Sequence, residues 1–225
     1  MSEIKDILST ATRELHIPLR AHALTIFERY YHELLFWNAR MALVSASSPR
    51  DVAVKHFCDS LTIAPLIASA RGRLLDIGAG AGFPGIPLKI AMDTLSITLV
   101  ESSRKKSSFL KHVVRTLGLA GVTVENGRIE GLTGAAATRN RFDTITSRAT
   151  LTLTVFLETG SHFLAPGGVL IAMKGREVGR EIEEAAPAAV KTGLTLREHH
   201  RLRLPVTGDH RTILVYSELP SAVKK

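Results

Sequence analysis

Apolar residues recur at three- and four-residue spacing through residues 1–70, which is the period of an amphipathic helix. The clearest series is Leu24, Phe27, Tyr30, Tyr31, Leu34 and Leu35. A shorter series closes this part of the chain, and its members are Leu61, Ile63, Leu66 and Ile67. We therefore expect residues 1–70 to form a helical N-terminal extension.

From Arg73 onward the pattern changes to short apolar runs that alternate with amphipathic segments. Strands are expected at 73–77, 96–101, 122–126, 142–147 and 168–174, and helices at 86–92, 103–117, 150–163 and 176–191. Such alternation predicts right-handed βαβ units and a parallel sheet with helices on both faces. Two final runs, 194–204 and 210–217, are joined only by a turn, so they should pair as an antiparallel hairpin. The expected fold is α/β, a Rossmann-like doubly wound sheet of seven strands.

A carboxylate and three alternate glycines follow the first expected strand: Asp76, Gly78, Gly80 and Gly82. Glycine tolerates positive φ and lets a ligand approach the backbone closely. Because Asp76 follows apolar Leu74 and Leu75, it needs a hydrogen-bonding or cationic partner. The pattern is typical of an S-adenosylmethionine site, since that ligand carries an ammonium and a sulfonium.

A dinucleotide site is the competing interpretation, because Gly80, Gly82 and Gly85 also fit G-x-G-x-x-G. That fingerprint needs a helix N-terminus that receives a pyrophosphate. Here residues 83–87 contain two prolines, which widen the turn and delay the helix. Glu101, at the end of the second strand, suits the ribose of either ligand. The long turn and Asp76 favour adenosylmethionine.

Two more segments follow strands at the edge where a ligand would bind. Residues 126–130 follow the third strand, where Ile129 offers an apolar surface to adenine and Glu130 a hydrogen-bonding group. An ordinary turn is the alternative there. Arg148 follows the fourth strand, so its guanidinium can hold a guanine edge or a phosphate, contact the cofactor, or form a structural ion pair.

The sequence lacks two features that particular methyl acceptors require, and this indicates which kind of acceptor is expected. The Asn/Asp-Pro-Pro-aromatic turn used for exocyclic amines does not follow the fourth strand. Methylation of a pyrimidine carbon needs a cysteine nucleophile, and Cys58 is better explained as a small buried residue. An acceptor that is already nucleophilic, such as guanine N7, requires mainly orientation and proximity.

The chain is basic, with a formal charge of +8 and a pI near 9.9, which suggests a polyanionic partner. The candidate RNA contacts are Arg104, Lys105, Lys106, Lys174 and Arg211, although a solvated helix face is the alternative for the first three. The histidines of the final hairpin lack the carboxylate or cysteine spacing of a metal site, so no metal is expected. No apolar run approaches the roughly 20 residues of a membrane span, and we expect a cytoplasmic protein.

Taken with their spacing, these motifs resemble those of the bacterial 16S ribosomal RNA guanine-N7 methyltransferases, also called glucose-inhibited division protein B. The matching pieces are His56–Leu61, Asp76–Leu88, Glu101 with Lys105-Lys106 and Phe109-Leu110, Arg128-Ile129-Glu130, Phe142-Asp143, Ser147-Arg148-Ala149 and Lys174-Gly175. The resemblance implies a class I methyltransferase domain over residues 71–220. It also implies adenosylmethionine as cofactor and N7 of one guanine in 16S rRNA, or in the small-subunit particle, as target.

By the family pattern, Gly78, Phe83, Ile129, Glu130 and Arg148 contact the cofactor. The expected cofactor site is therefore Asp76, Gly78, Gly80, Gly82, Phe83, Glu101, Ile129, Glu130 and Arg148, with Arg148 also the candidate catalytic residue. We expect a monomer. A non-catalytic RNA-binding protein and an NAD-dependent oxidoreductase remain the alternative functions, which a calorimetric titration with each cofactor would separate.

Overall fold

The computed structural model describes residues 2–17, 19–45, 48–67, 69, 72–132, 141–148 and 150–218. Its strands are β1 (Arg73–Ile77), β2 (Ser96–Glu101), β3 (Val122–Asn126), β4 (Phe142–Arg148), β5 (Leu164–Lys174), β6 (Leu194–Arg203) and β7 (His210–Glu218). The α-helices are α1 (Glu3–Glu14), α2 (Ala21–Met41), α3 (Pro49–Asp51), α4 (Asp59–Leu61), α5 (Gly85–Ala91), α6 (Arg104–Leu117), α7 (Leu153–Ser161) and α8 (Gly179–Thr192). A π-helical segment, Val52–Cys58, joins α3 to α4, and short 3₁₀ turns cover Ala64–Leu66 and Ile129–Leu132.

The seven strands form one sheet in the order β3-β2-β1-β4-β5-β7-β6. Strands β1 to β5 pair in parallel, whereas β7 is antiparallel to both β5 and β6. The doubly wound sheet and its terminal hairpin are thus confirmed. Because the strand order reverses between β1 and β4, a ligand crevice is expected beyond the carboxyl ends of these two strands.

Two hydrophobic cores lie on the two faces of the sheet, because neighbouring residues of a strand point to opposite sides. Leu74, Leu99 and Ile171 belong to one core and Leu75, Val100 and Leu170 to the other. The first core also contains buried apolar side chains from α1, α2, α5 and α6, and the second contains such side chains from α7 and α8. The N-terminal helices therefore share a core with the sheet, and the division into units at residue 70 stays a prediction.

Helix and strand ends differ from expectation where local caps decide them. Helix α7 starts at Leu153 rather than 150, because the Thr152 hydroxyl accepts a hydrogen bond from the Val155 amide. Strand β5 starts at Leu164 rather than 168, because Leu164 pairs with Phe142 ahead of a register shift. Across the described ranges, no helix has the length and apolar content needed to cross a bilayer.

Candidate active site

The three alternate glycines adopt the left-handed backbone that their spacing predicted. Their φ angles are +75° at Gly78, +59° at Gly80 and +104° at Gly82. The turn is tied to β2, because the amides of Gly78 and Ala79 both donate to the Val100 carbonyl, at 2.9 and 3.0 Å. Such φ values are costly for residues with a Cβ, so the conformation of the turn depends on glycine.

The space around the three glycines is unequal. A Cβ on Gly78 would lie 2.5 Å from a Thr150 methyl, and one on Gly82 would lie 2.5 Å from Ile86 Cδ1 and 2.8 Å from the Tyr30 hydroxyl. A Cβ on Gly80 would meet no described atom closer than the Gly78 carbonyl at 3.9 Å. Gly80 is thus the point at which the turn faces open space.

Asp76 is fully buried beneath the turn and holds the start of α5. Its Oδ2 accepts a hydrogen bond from the Gly85 amide at 2.9 Å, while Oδ1 has no partner among the described residues. Burial raises the pKa of this carboxyl to about 7, although the Gly85 hydrogen bond opposes the shift. The partner that the sequence required is therefore a backbone amide.

The N-terminus of α5 is not free to hold a pyrophosphate. The Gly85 amide is taken by Asp76, and the Ile86 amide donates to the Gly82 carbonyl at 2.8 Å. A dinucleotide site needs such amides to point at the ligand. The geometry therefore weighs against the dinucleotide interpretation.

Glu101 joins the glycine turn to the start of α6. Its Oε2 accepts from the Gly80 amide at 2.8 Å and its Oε1 from the Ser103 amide at 2.7 Å. Ser103 in turn caps α6 by accepting from the Lys106 amide. The carboxylate is held at the edge of the sheet, as a ribose acceptor requires, and that role stays a prediction.

A cleft of about 210 Å³ gathers several of the expected cofactor residues. It is lined by Ile77, Gly78, Val100, Ser102, Gly127, Arg128, Ile129, Glu130, Thr150 and Leu151. Beside the cleft, the Asn126 side chain ties the end of β3 to β2 by donating to the Glu101 carbonyl at 3.0 Å. The cleft thus joins the glycine turn to the segment after β3, which the sequence assigned to adenine.

A second cavity, of about 430 Å³, lies beside Arg148 and is called the acceptor pocket below. Its lining residues are Lys55, His56, Asp59, Arg148, Met173, Lys174, Gly175 and Arg211. Cationic side chains from four distant parts of the chain, namely Lys55, Arg148, Lys174 and Arg211, therefore converge here. The acceptor pocket suits an electron-rich or anionic ligand.

Asp59 holds two of these cations together. Its side chain is only 5% exposed; its Oδ2 accepts from Arg148 Nη1 at 3.2 Å and its Oδ1 from Arg211 Nε at 2.9 Å. Arg148 also donates to the Lys55 carbonyl at 3.2 Å. The structural ion pair that competed with a functional role for Arg148 is thus present, and the guanidinium still lines the acceptor pocket.

His56 lies between Phe83 and Arg148 and contacts both. Its ring stacks on Phe83 with centroids 5.0 Å apart, and its Nδ1 lies 3.4 Å from Arg148 Nη2. Burial, and secondly the charge of Arg148, lower the pKa of His56 to about 4. At neutral pH the unprotonated Nδ1 therefore accepts from Arg148, which assigns the ring proton to Nε2.

The Phe83 side chain lies in this aromatic cluster rather than in the cofactor cleft. It is buried against Tyr30 and Phe57, and the Arg148 guanidinium lies 4.8 Å from its ring centroid. Phe83 follows Gly82 directly in the chain, so its ring places the end of the glycine turn in contact with Arg148. Its contact with the cofactor stays a prediction.

The end of β4 stands between the two cavities. Ser147 Oγ donates to the Ile77 carbonyl at 3.0 Å, and Thr150 Oγ1 to the Gly78 carbonyl at 3.2 Å. Thr150 faces the cofactor cleft, whereas Arg148 faces the acceptor pocket. Ala149, part of the expected motif, lies outside the described residues.

The expected RNA contacts have different surroundings. Arg104, Lys105 and Lys106 begin α6, and none of them forms an ion pair within the part of the chain that the structure describes. Lys174 Nζ donates to Glu181 at 2.6 Å and to the Leu151 carbonyl at 2.8 Å, and its side chain is 10% exposed. It also lines the acceptor pocket, and its contact with RNA stays a prediction.

Residue-based reasoning missed the links that Asp59 and Thr150 make. Asp59 lies 89 residues from Arg148 and 152 from Arg211, and no local pattern connects them. The His56–Leu61 motif was the one pointer to this segment. Thr150 follows a strand end, the position at which ligand-edge residues of such sheets are found.

Comparison with known proteins agrees with this geometry. A family model described as "rRNA small subunit methyltransferase G" matches residues 23–205. The chain is 46% identical to the ribosomal RNA small subunit methyltransferase G of Syntrophus aciditrophicus, over 93% of this chain and 88% of that protein. It is 37% identical to the protein of the same name from Carboxydothermus hydrogenoformans, over 94% and 90%.

Solved structures with a similar fold are more distant in sequence. M. jannaschii TYW2 in complex with AdoMet has a TM-score of 0.56 and 17% identity, over 72% of this chain and 75% of that one. The precorrin-6y C5,15-methyltransferase of Geobacter metallireducens has a TM-score of 0.56 and 14% identity, over 80% and 92%. These structures show the fold alone, which is that of class I methyltransferases.

Proposed function

The chain belongs to the rRNA small subunit methyltransferase G family, and we propose that it transfers a methyl group from S-adenosylmethionine to N7 of a guanine in 16S rRNA. One observation carries this proposal: two cavities flank the end of β4 at the point where the strand order of the sheet reverses. A donor and an acceptor can then be held on the two sides of one strand end, which is the arrangement that group transfer between two bound reactants needs.

The residues of the first cleft fit adenosylmethionine. The cleft offers an apolar wall at Ile129, a carboxylate at Glu130 and the glycine turn at Gly78. Glu101 lies behind the turn and accepts from the Gly80 amide, where the turn faces open space. Asp76 adds a buried carboxylate oxygen without a partner among the described residues. When bound, adenosylmethionine supplies an electrophilic methyl group on a positively charged sulfur.

The acceptor pocket supports a base that needs no deprotonation. Guanine N7 carries a lone pair in the plane of the ring, so no general base is required. Arg148 is fixed by Asp59, the Lys55 carbonyl and His56, and its guanidinium lines the wall of the pocket. A donor so placed can hold guanine O6, and its orientation is set before the base arrives.

A covalent mechanism through cysteine finds no support. Cys58 is buried, burial raises its pKa to about 12, and it lines neither cavity. A thiol in this state is not a nucleophile near neutral pH.

Three further expectations belong to the proposal. Arg104, Lys105 and Lys106 contact RNA at the entrance beside the cofactor cleft, the enzyme is a monomer, and it works in the cytoplasm on 16S rRNA or a small-subunit particle. Removing all three charges should lower the salt dependence of RNA binding, and an unchanged dependence would identify this turn of α6 as a solvated face.

The test is methylation of 16S rRNA, free and in small-subunit particles, taken from a strain that lacks this enzyme. Purified protein with labelled adenosylmethionine should label one guanine, and reductive strand cleavage at 7-methylguanine should map it. The Gly80→Val variant serves as the matched negative control. Label at another base, or no label in either substrate, would contradict the proposed function.

A further inference from the structure

A third cavity, of about 530 Å³, lies at the same edge of the sheet beyond β5, and we call it the hairpin groove. Its walls are the segment after β5 and the β6–β7 hairpin. Four of its lining residues are arginines: Arg176, Arg201, Arg203 and Arg211. The hairpin carries a basic run, His199–Arg203 followed by His210-Arg211, and the methyl-transfer chemistry does not use its Arg201 and Arg203.

The hairpin groove is continuous with the acceptor pocket. Arg211 lines both cavities, and Lys174-Gly175 of the pocket is followed directly by Arg176 of the groove. The ends of β5 and β6 and the beginning of β7 meet at this edge, since Arg203 pairs with His210 and Lys174 with Thr212. A chain that leaves the acceptor pocket along the edge of the sheet therefore enters the groove.

The hairpin groove is positively charged, and most of the side chains that carry the charge are exposed. Arg201 and Arg203 are exposed, and neither forms an ion pair within the described ranges. They lie two residues apart, and so on the same side of β6, about 7 Å along the strand. The one carboxylate in the lining, Glu177, pairs with Arg176 at 3.4 Å with side chains 90% and 73% exposed, and such a pair is weak.

We propose that the hairpin groove binds the phosphates of the single-stranded RNA segment next to the target guanine. The inference rests on the proposed function, because a base that enters the acceptor pocket must leave its stack and its backbone must then run along the protein surface. Arg201 and Arg203 contact phosphates, while Arg211 connects the groove to the pocket. The groove would extend the proposed RNA-binding surface from α6, which connects β2 to β3, to the β7–β6 end of the strand order.

The experiment compares Arg201→Ser, Arg203→Ser and the double variant with Arg197→Ser. Arg197 is also exposed on β6, lies about 13 Å before Arg201 along the strand, and does not line the groove. Binding of a 16S rRNA fragment is measured by anisotropy across a series of KCl concentrations. Methyl-transfer kinetics, adenosylmethionine affinity and melting temperature are measured on the same proteins.

Replacing either groove arginine should reduce the magnitude of the slope of log affinity against log salt by about 0.7, so the slope of the double variant should be smaller by about 1.4. Its KM for RNA should rise at least tenfold while kcat, cofactor affinity and melting temperature stay unchanged. A double variant with the slope and KM of Arg197→Ser would overturn the proposal for the groove and leave the proposed function intact. A wild-type protein that binds the fragment but methylates neither free 16S rRNA nor small-subunit particles would overturn the proposed function, and the slopes would still decide the groove.

Discussion

Replacement of Arg148 separates its structural role from its role in methyl transfer. In Arg148→Ala, Asp59 keeps Arg211 as its partner, so the cost of 3–5 kcal/mol for an orphaned buried charge does not apply in full. The side chain of Arg148 is 19% exposed and that of Asp59 5% exposed, so the lost hydrogen bond is a charged and partly buried one. We expect about 2 kcal/mol of lost stability, which corresponds to a fall in melting temperature of about 4–8 °C.

The effect on catalysis should be larger than the effect on stability. If Arg148 orients the base in the acceptor pocket, its loss should lower the single-turnover rate about 100-fold. Arg148→Lys keeps the charge but offers no planar fork, and so cannot satisfy Asp59, His56 and the Lys55 carbonyl together. We expect this variant to recover about half of the lost stability and to stay at least tenfold slower than the wild type.

Three measurements distinguish the possible contacts of Arg148. They are single-turnover transfer to 16S rRNA, calorimetric titration with adenosylmethionine, and thermal unfolding. Because Arg148 lines the acceptor pocket, unchanged cofactor affinity with slow transfer is the expected result. A parallel fall in affinity would support the cofactor contact that the family resemblance implied. Near-normal rates in both variants would refute the reasoning, and Arg148 would then be only a structural partner of Asp59.

Three further predictions follow from the turn and the residues around it. Gly80→Val should abolish adenosylmethionine binding while the protein still folds. The added methyls would extend into the open space beside the turn, where the cofactor is proposed to bind, and φ of +59° is unfavourable for valine. Wild-type affinity by calorimetry would contradict this. Cys58→Ser should keep most methyl transfer, since the buried thiol has its pKa raised to about 12, but should melt earlier because a buried hydroxyl costs about 1–3 kcal/mol; lost turnover with normal melting would contradict it. Burial raises the pKa of Asp76 to about 7, above its value of 3.8 in the unfolded chain, so the folded state binds the extra proton and this group's contribution to stability falls as pH rises from 5 to 8. Because Asn does not titrate, the free energy of unfolding of Asp76→Asn should rise by about 3 kcal/mol relative to that of the wild type between pH 5 and pH 8. Urea unfolding measures this difference, and parallel pH profiles for the two proteins would count against it.

Much of the fold was predictable because each element carries its own local pattern. Strands β1, β2 and β3 begin and end at the expected residues, since each is a short apolar or β-branched run bounded by polar residues and turns. Glycine in the left-handed conformation ends α8 at Gly193, as such residues commonly do. Strand β5 was the exception, because Pro166, Gly167 and Gly168 resemble a turn, whereas the strand continues through them past a register shift.

The candidate site was predictable only where it is local in sequence. The glycine turn and Glu101 follow strand ends, and the alternation of strands and helices already places strand ends at one edge. The ion pairs of Asp59 could not be predicted in this way, because they depend on how the start of α4 packs against Arg148 at the end of β4 and Arg211 at the start of β7. For the same reason the ion pair between Lys174 and Glu181 could not be predicted, since Glu181 lies beyond a loop on α8.

The contact between Tyr30 and the glycine turn constrains how this protein can evolve. The Tyr30 hydroxyl donates to the Ala81 carbonyl and occupies the space that a Cβ on Gly82 would need. Ile86 Cδ1 would lie 2.5 Å from the same Cβ, and φ is +104° at Gly82, so a shorter side chain at position 30 would not by itself admit another residue at position 82. We therefore expect position 82 to stay glycine across the family even in lineages that replace Tyr30, because three independent constraints act on it.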